Sequence, residues 1–182
     1  MKTTSISTPD SEATVYLSIY PGSYQDWKPT CIWTSATEIV FPEDLSYLFA
    51  GINGTTYEPK FTFRDNKTKE MLNFSQVKNI SHLFHNTRPW MGHDRSFNVS
   101  TFISCLKEVT NMTRMFYDSS YIERIYVSDT FVTTNVTASS GIFGGSFDNL
   151  RGQQGTSVPG HDISYARIDG GPSKPGAFWR KP

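Results

Sequence analysis

The sequence predicts an α/β chain folded as an irregular solenoid, a strand plus a short helix repeated four times, with a β cap at each end. Three observations predict it. An eight-residue phrase recurs four times, a β-prone run precedes each copy, and polar stretches of unequal length separate the copies. The phrase reads PEDLSYLF at Pro42–Phe49, VKNISHLF at Val77–Phe84, VTNMTRMF at Val109–Phe116 and VTASSGIF at Val136–Phe143. Every copy ends in Leu, Met or Ile followed by Phe, with Ser or Thr three residues before that Phe (Ser46, Ser81, Thr113, Ser140).

Apolar residues at positions 1, 4, 7 and 8 of the phrase, such as Val109, Met112, Met115 and Phe116, fall on one stripe of a two-turn helix. Position 6 (Tyr47, His82, Arg114, Gly141) has no common character and is expected to face water. Pro42 suits the first helical position, and Glu43 with Asp44 suits the positive end of a helix dipole. Two turns are too short to be stable alone, so each helix needs a neighbour. Strands are expected within Thr37–Phe41, Met71–Phe74, Phe97–Phe102 and Ile122–Phe131, forming one ladder; Ile125, Val127 and Phe131 show the alternation of a half-buried strand. The stretches Gly51–Tyr57, Arg64–Lys69 and Asn86–Ser96 read as loops on one face.

The domain plan follows. Residues 1–12 are a flexible N-terminus, 13–36 an N-terminal β cap around the strand Ala13–Tyr20, 37–150 the four repeats, and 151–182 a C-terminal cap and tail. In that tail His161–Ile168 reads as a strand closing the ladder edge, and Ala177–Pro182 as an arm able to reach a neighbouring subunit.

Composition narrows the function classes. The 182-residue chain has 17 basic and 17 acidic residues, dispersed, so neither a nucleic-acid footprint nor a polybasic membrane patch is expected. Aromatic residues at 14% and charged residues at 19% suit a β-rich extracellular or virion-surface protein. No apolar run is long enough to span a membrane, and Met1–Ala13 has no apolar stretch that would serve as a secretory leader. Cys31 and Cys105 fit either one disulfide or two separate buried thiols.

Seven of the nine asparagines (53, 66, 73, 79, 98, 111 and 135) stand in Asn-X-Ser/Thr triplets. N-glycosylation is one reading. The repeat supplies another: Asn79 and Asn111 share a phrase position and Asn135 precedes the fourth copy, where Asn can serve turn or capping geometry.

From Val109 to Phe143 the sequence VTNMTRMFYDSSYIERIYVSDTFVTTNVTASSGIF resembles the BspA-like leucine-rich-repeat surface proteins of bacteria. Ile125–Phe131 resembles that family's last strand and Tyr165–Phe178 the segment following the final repeat, so the resemblance spans about residues 37–178 and is strongest after Phe97. The family's turn cysteine is absent, with Asp118 and Gly145 near its place. The resemblance implies a leucine-rich-repeat-like solenoid used for adhesion or protein–protein recognition, without catalysis.

No chemistry is assigned. A metal site from His82, His85 and His93 lacks an acidic residue or cysteine at a familiar spacing. There is no Gly-X-Ser-X-Gly elbow, and no glycine pair follows a strand and opens a helix. Catalytic residues, cofactors and metals are therefore all expected to be absent. The expected function is non-enzymatic adhesion or recognition at a bacterial cell surface, directed at a protein or glycan on another surface, with neither nucleic acid nor membrane insertion. The alternative is a structural subunit of a phage virion, appendage or filament that self-assembles through its terminal arms. Candidate contacts are Arg88, Trp90 and His93 in the loop between the second and third copies, and Phe178 with Trp179 in the tail. Trp90 has a competing role as a plug folded into the core.

Overall fold

The computed structural model describes residues 2–5, 15–19, 31–34, 38–51, 72–87, 95–100, 107–119, 121–145, 149–158 and 163–181. Their strands are β1 (Lys2–Ser5), β2 (Val15–Ile19), β3 (Cys31–Thr34), β4 (Ile39–Val40), β5 (Leu72–Asn73), β6 (Ser96–Asn98), β7 (Arg124–Val127) and β8 (Phe178–Arg180). β1, β2 and β3 pair antiparallel in that order. β4 pairs with β5, and β6, β7 and β8 pair in sequence order, all parallel.

This is not the strand-plus-helix solenoid that the sequence predicts. The strands are short and the parallel ones fall into two small sheets rather than one ladder. None of the four phrases is helical; among the described residues only Ser100 and the 3-10 turn Ile163–Tyr165 are. The backbone of the phrase explains why. Position 6 is left-handed in every copy, with φ of 61° at Tyr47, 56° at His82, 53° at Arg114 and 64° at Gly141. So is the position two residues past the Phe: Gly51, Asn86, Asp118 and Gly145. A right-handed helix cannot pass through such residues. Each copy is instead a chain of overlapping turns, as in Leu83 N–H to Ile80 O, His85 N–H to His82 O and Thr87 N–H to Phe84 O. The positive φ at the third residue of the first and last of these is the type II requirement.

The N–H groups between these turn bonds point sideways to the next copy. Ile80, His82, Phe84 and Asn86 donate to the carbonyls of Asn111, Thr113, Met115 and Tyr117. The same four bonds join the first copy to the second and the third to the fourth, and parallel bridges run from Asp44 to Asn79, Asn111 and Ala138. In the second copy every N–H from Val77 to Thr87 has an acceptor, so nothing is left for an intrahelical ladder to satisfy.

The side chain at position 3 completes the set. The carboxamide oxygens of Asn79 and Asn111 accept from the N–H of Ser81 and Thr113 at 3.0 Å, and Asp44 accepts from Ser46 at 2.7 Å, which holds its carboxyl below the usual range. Asn73 and Asn98 do the same for Ser75 and Ser100. Each of these Asn residues accepts from the backbone N–H two residues on, which gives the Asn a turn role while asking nothing of the Ser or Thr side chain. Asn135 donates to Lys107 O in the neighbouring layer instead. Asn53 and Asn66 lie outside the described residues.

The apolar positions do form the core. Val77, Ile80, Leu83, Phe84, Val109, Met112, Met115 and Phe116 are all buried. The closing Phe residues stack through the layers: Phe49 on Phe84 at 5.7 Å, Phe84 on Phe116 at 5.4 Å, and Phe116 on Phe143 at 6.0 Å between ring centroids. Beside them buried hydroxyls bridge layers, Ser119 Oγ donating to Phe84 O and Thr87 Oγ1 to Phe49 O.

The ends also differ from expectation. Lys2–Ser5, within the expected flexible N-terminus, is strand β1, while the strand expected at Ala13–Tyr20 is present as β2. Cys31 lies in β3, and Cys105 is outside the described residues, as is the Cys31–Cys105 pairing. Of the strand expected at His161–Ile168, the described residues 163–168 form instead the turn Ile163–Tyr165 and a single parallel bridge from Ile168 to Phe178. The tail is no free arm: β8 adds to β7, pairing Phe178 with Ile125 and Arg180 with Val127.

Truncating Phe116, which is fully buried between two other rings, is expected to cost about 3–5 kcal/mol in urea denaturation. Asn111→Ala removes one turn acceptor and is expected to cost about 1 kcal/mol, whereas Asn111→Asp, copying Asp44, retains most of it.

Candidate functional site

Stacking identical turns puts identical positions in register, so the side chains of positions 6 and 9, exposed at Tyr47 and Arg114 and half-buried at His82, His85 and Tyr117, form a strip across the layers. Tyr47 lies flat on His82, with centroids 4.4 Å apart and planes 13° from parallel. His82 is followed by His85 at 5.6 Å, and Tyr117 presents its edge to His85 at 5.6 Å. The Arg114 guanidinium sits over the Tyr117 ring at 5.1 Å, a cation–π contact. In the fourth copy both positions are glycine. A Cβ on Gly144 would collide with the Tyr117 ring, whereas one on Gly141 would meet Arg114 Cγ at an ordinary 3.6 Å. The missing side chains of Gly141 and Gly144 thus leave the shelf on which Arg114 and Tyr117 rest.

The strip has an electrostatic grain. His82 is held below the ordinary histidine pKa, first by burial and then by the positive charge of His85 and Arg114. Its Nδ1 is buried with no hydrogen-bond partner among the described residues, so a proton there would gain nothing. Lys78 and Glu43 at position 2 form an exposed ion pair at 3.4 Å. Asp118, beside Tyr117, is exposed.

A second cluster ties the C-terminal segment together. Asp169 is 4% exposed, and its Oδ1 accepts from Thr156 Oγ1 at 2.8 Å, Gly171 N–H at 3.0 Å and Gly176 N–H at 3.3 Å, while Oδ2 accepts from Gln154 N–H at 2.7 Å. Burial alone would raise its pKa. The hydrogen bonds outweigh burial and hold the carboxyl below the usual range. With every donor supplied by the chain itself, this carboxylate is an internal clamp rather than a ligand site.

Of the residues singled out in the sequence, Arg88, Trp90 and His93 lie outside the described residues. Phe178 is buried, edge-on to Phe131 at 5.1 Å and to Phe143 at 5.7 Å. Trp179 is half-buried; its Nε1 donates to Arg151 O at 2.7 Å, and its ring packs against Tyr126 and Arg124. His82 and His85 are adjacent, but among the described residues no three His, Cys, Asp or Glu side chains converge as a metal site would need. Nor is any described helix long and apolar enough to cross a membrane. The strip itself escapes a reading by residue type, because Tyr, His, Arg and Gly at position 6 share a backbone conformation and not a chemistry.

No protein-family model matches the chain, and no curated protein and no solved structure matches it either.

His82 generates a pH prediction. Because its folded pKa is depressed, the unfolded chain takes up the proton first as pH falls. Its contribution to stability is full above its ordinary value of 6.5 and is lost as pH drops through the lower folded value. His82→Asn, which tolerates the left-handed backbone, is expected to flatten the fall in denaturation midpoint between about pH 7.5 and about pH 5. Gly141→Ala and Gly144→Ala separate backbone from packing. The first is expected to cost about 1 kcal/mol of stability through its φ alone. The second displaces Tyr117 from its shelf, which tyrosine fluorescence or NMR of its ring would register.

Proposed function

We propose that this protein is a non-enzymatic recognition module of a bacterial surface, and that its contact face is the strip formed by Tyr47, His82, His85, Arg114 and Tyr117. One observation carries the reading: aromatic, imidazole and guanidinium groups are held in register on a backbone whose every N–H is bonded in the central layer. Tyrosine and arginine are the residue types that most often concentrate binding energy, and a pre-ordered face loses little entropy on docking. Tyr47 is 55% exposed in spite of its stacked partner, so much of this edge is open to contact. The partner that fits is a protein surface carrying carboxylates for Arg114 and apolar or aromatic groups for the tyrosines. The resemblance of Val109–Phe143 to the BspA-like surface proteins points the same way.

The test is retention of fluorescently labelled protein on intact bacterial and epithelial cells. The triple substitution Tyr47→Ala, Arg114→Ala, Tyr117→Ala is expected to lose at least about tenfold in retention, from about 1 kcal/mol or more at each hot-spot residue, with its thermal midpoint within a few degrees of the parent. Retention no greater than that of an unrelated protein of equal size, or unchanged in the triple variant, would refute the reading.

A further inference from the structure

The imidazole at the centre of the strip is surrounded by groups that disfavour a proton on it. The His82 ring meets Tyr47 of the first copy and His85 of its own copy, and it feels the charge of Arg114 in the third. None of these is a carboxylate. Of the acids on the same copies, Glu43 pairs with Lys78 at 3.4 Å, Asp44 accepts from Ser46 and Asn79, and Asp118 stands exposed beside Tyr117. Nδ1 of His82 is buried, with no hydrogen-bond partner among the described residues. A neutral imidazole is compatible with this, because it can carry its hydrogen on Nε2. An imidazolium is not, since both ring nitrogens then carry one. The hydrogen on Nδ1 would be a buried donor without an acceptor, beside the positive charge of His85 and Arg114.

We propose that the strip opens in mild acid: a protonated His82 turns out of the stack, and Tyr47 is released from the face that, on the recognition reading above, makes the contact. Cation–π attraction to the Tyr47 ring opposes this, but at a ring 55% exposed it is weaker than the cost of an unpaired buried donor. A partner carboxylate near His82 also favours the charged form, yet an exposed ion pair of that kind returns little. Turned toward water, the imidazolium has both its hydrogens solvated. The backbone does not oppose the turn: His82 N–H donates to Thr113 O and His82 O accepts from His85 N–H, so the layer stays closed while the side chain moves. A turned-out ring has the ordinary histidine pKa of 6.5 and the stacked ring a lower one. The stack is therefore fully held above 6.5 and weakens as pH falls through the lower value. The result is a module that holds its partner near neutral pH and lets it go in acid, with the stacked Phe core unchanged beneath.

The experiment uses the full chain and has two arms. In NMR spectra, cross-relaxation between the Tyr47 and His82 rings is expected at about pH 7.5 and lost at about pH 5, while that between Phe84 and Phe116 persists. A Tyr47–His82 signal that survives after the His82 ring has titrated would overturn the proposal. So would loss of both signals together, which would mean global unfolding. This arm needs no partner and is decided apart from the recognition reading. In the second arm, retention of labelled protein on intact cells is compared at the two pH values. Retention of the parent is expected to fall at least about twofold in acid, the change in apparent affinity when half of the molecules have left the competent form. For His82→Asn the ratio of the two retentions is expected to be near unity, whatever its level at neutral pH, and His85→Gln is expected to keep the parent's ratio. Equal retention of the parent at both pH values, or a response removed by His85→Gln and not by His82→Asn, would overturn the proposal. A Tyr47, Arg114 and Tyr117 triple variant that is retained like the parent would instead refute the recognition reading, and the ring measurement alone would then decide.

Discussion

The fold depends on a division of labour among backbone N–H groups. In the first three phrases alternate N–H groups close local turns, and those between them cross to the next layer. The left-handed residues at position 6 and beyond the Phe keep this alternation going, since each reverses the direction of the peptide plane that follows. Three of the four residues at position 6 are not glycine, so the chain accepts about 1 kcal/mol or more of backbone strain at each of Tyr47, His82 and Arg114. That strain is offset by six interlayer backbone hydrogen bonds per junction, four running one way and two the other, and by the burial of one large Phe per layer.

The same constraint produces the surface. Copies that repeat in backbone must repeat in side-chain direction, so whatever stands at positions 6 and 9 is aligned with its counterparts above and below. Tyr47 on His82 and Arg114 over Tyr117 are therefore consequences of stacking, with no separate device needed to order them. The surface can change chemistry without disturbing the interior, because the buried apolar side chains of the central copies stand at positions 1, 4, 7 and 8. Gly141 and Gly144 mark where that freedom is limited: a side chain at 144 would unseat Tyr117.

The C-terminal segment solves a different problem with the same economy of donors. Asp169 gathers N–H groups from Gln154, Gly171 and Gly176 and the hydroxyl of Thr156, holding the loop after Leu150 against the chain that leads into β8. Gly152 and Gly176 allow this approach, since a Cβ at either would strike the opposing backbone. In the sequence, Asp169-Gly170-Gly171-Pro172 reads only as turn punctuation; the carboxylate's role emerges from residues up to fifteen positions away.

Particular residues show where local sequence is sufficient. Val77, Ile80, Leu83 and Phe84 announce their burial by spacing, and Ile125 with Val127 announce a strand with one face inward. The helix inferred from that spacing does not form, because a two-turn helix and a stack of turns bury much the same stripe and differ in where their N–H groups go. Ile80 N–H finds Asn111 O, more than thirty residues along the chain, and no local pattern encodes that partner. The triplets at Asn73, Asn79, Asn98 and Asn111 are likewise visible in the sequence, yet their shared use as turn acceptors depends on the backbone adopted around them. The sequence by itself determined which side chains leave water and that the phrase must repeat. The tertiary structure decided the backbone between them, because a group that bonds equally well within its own segment or across to a neighbour is settled by whether the neighbour is there.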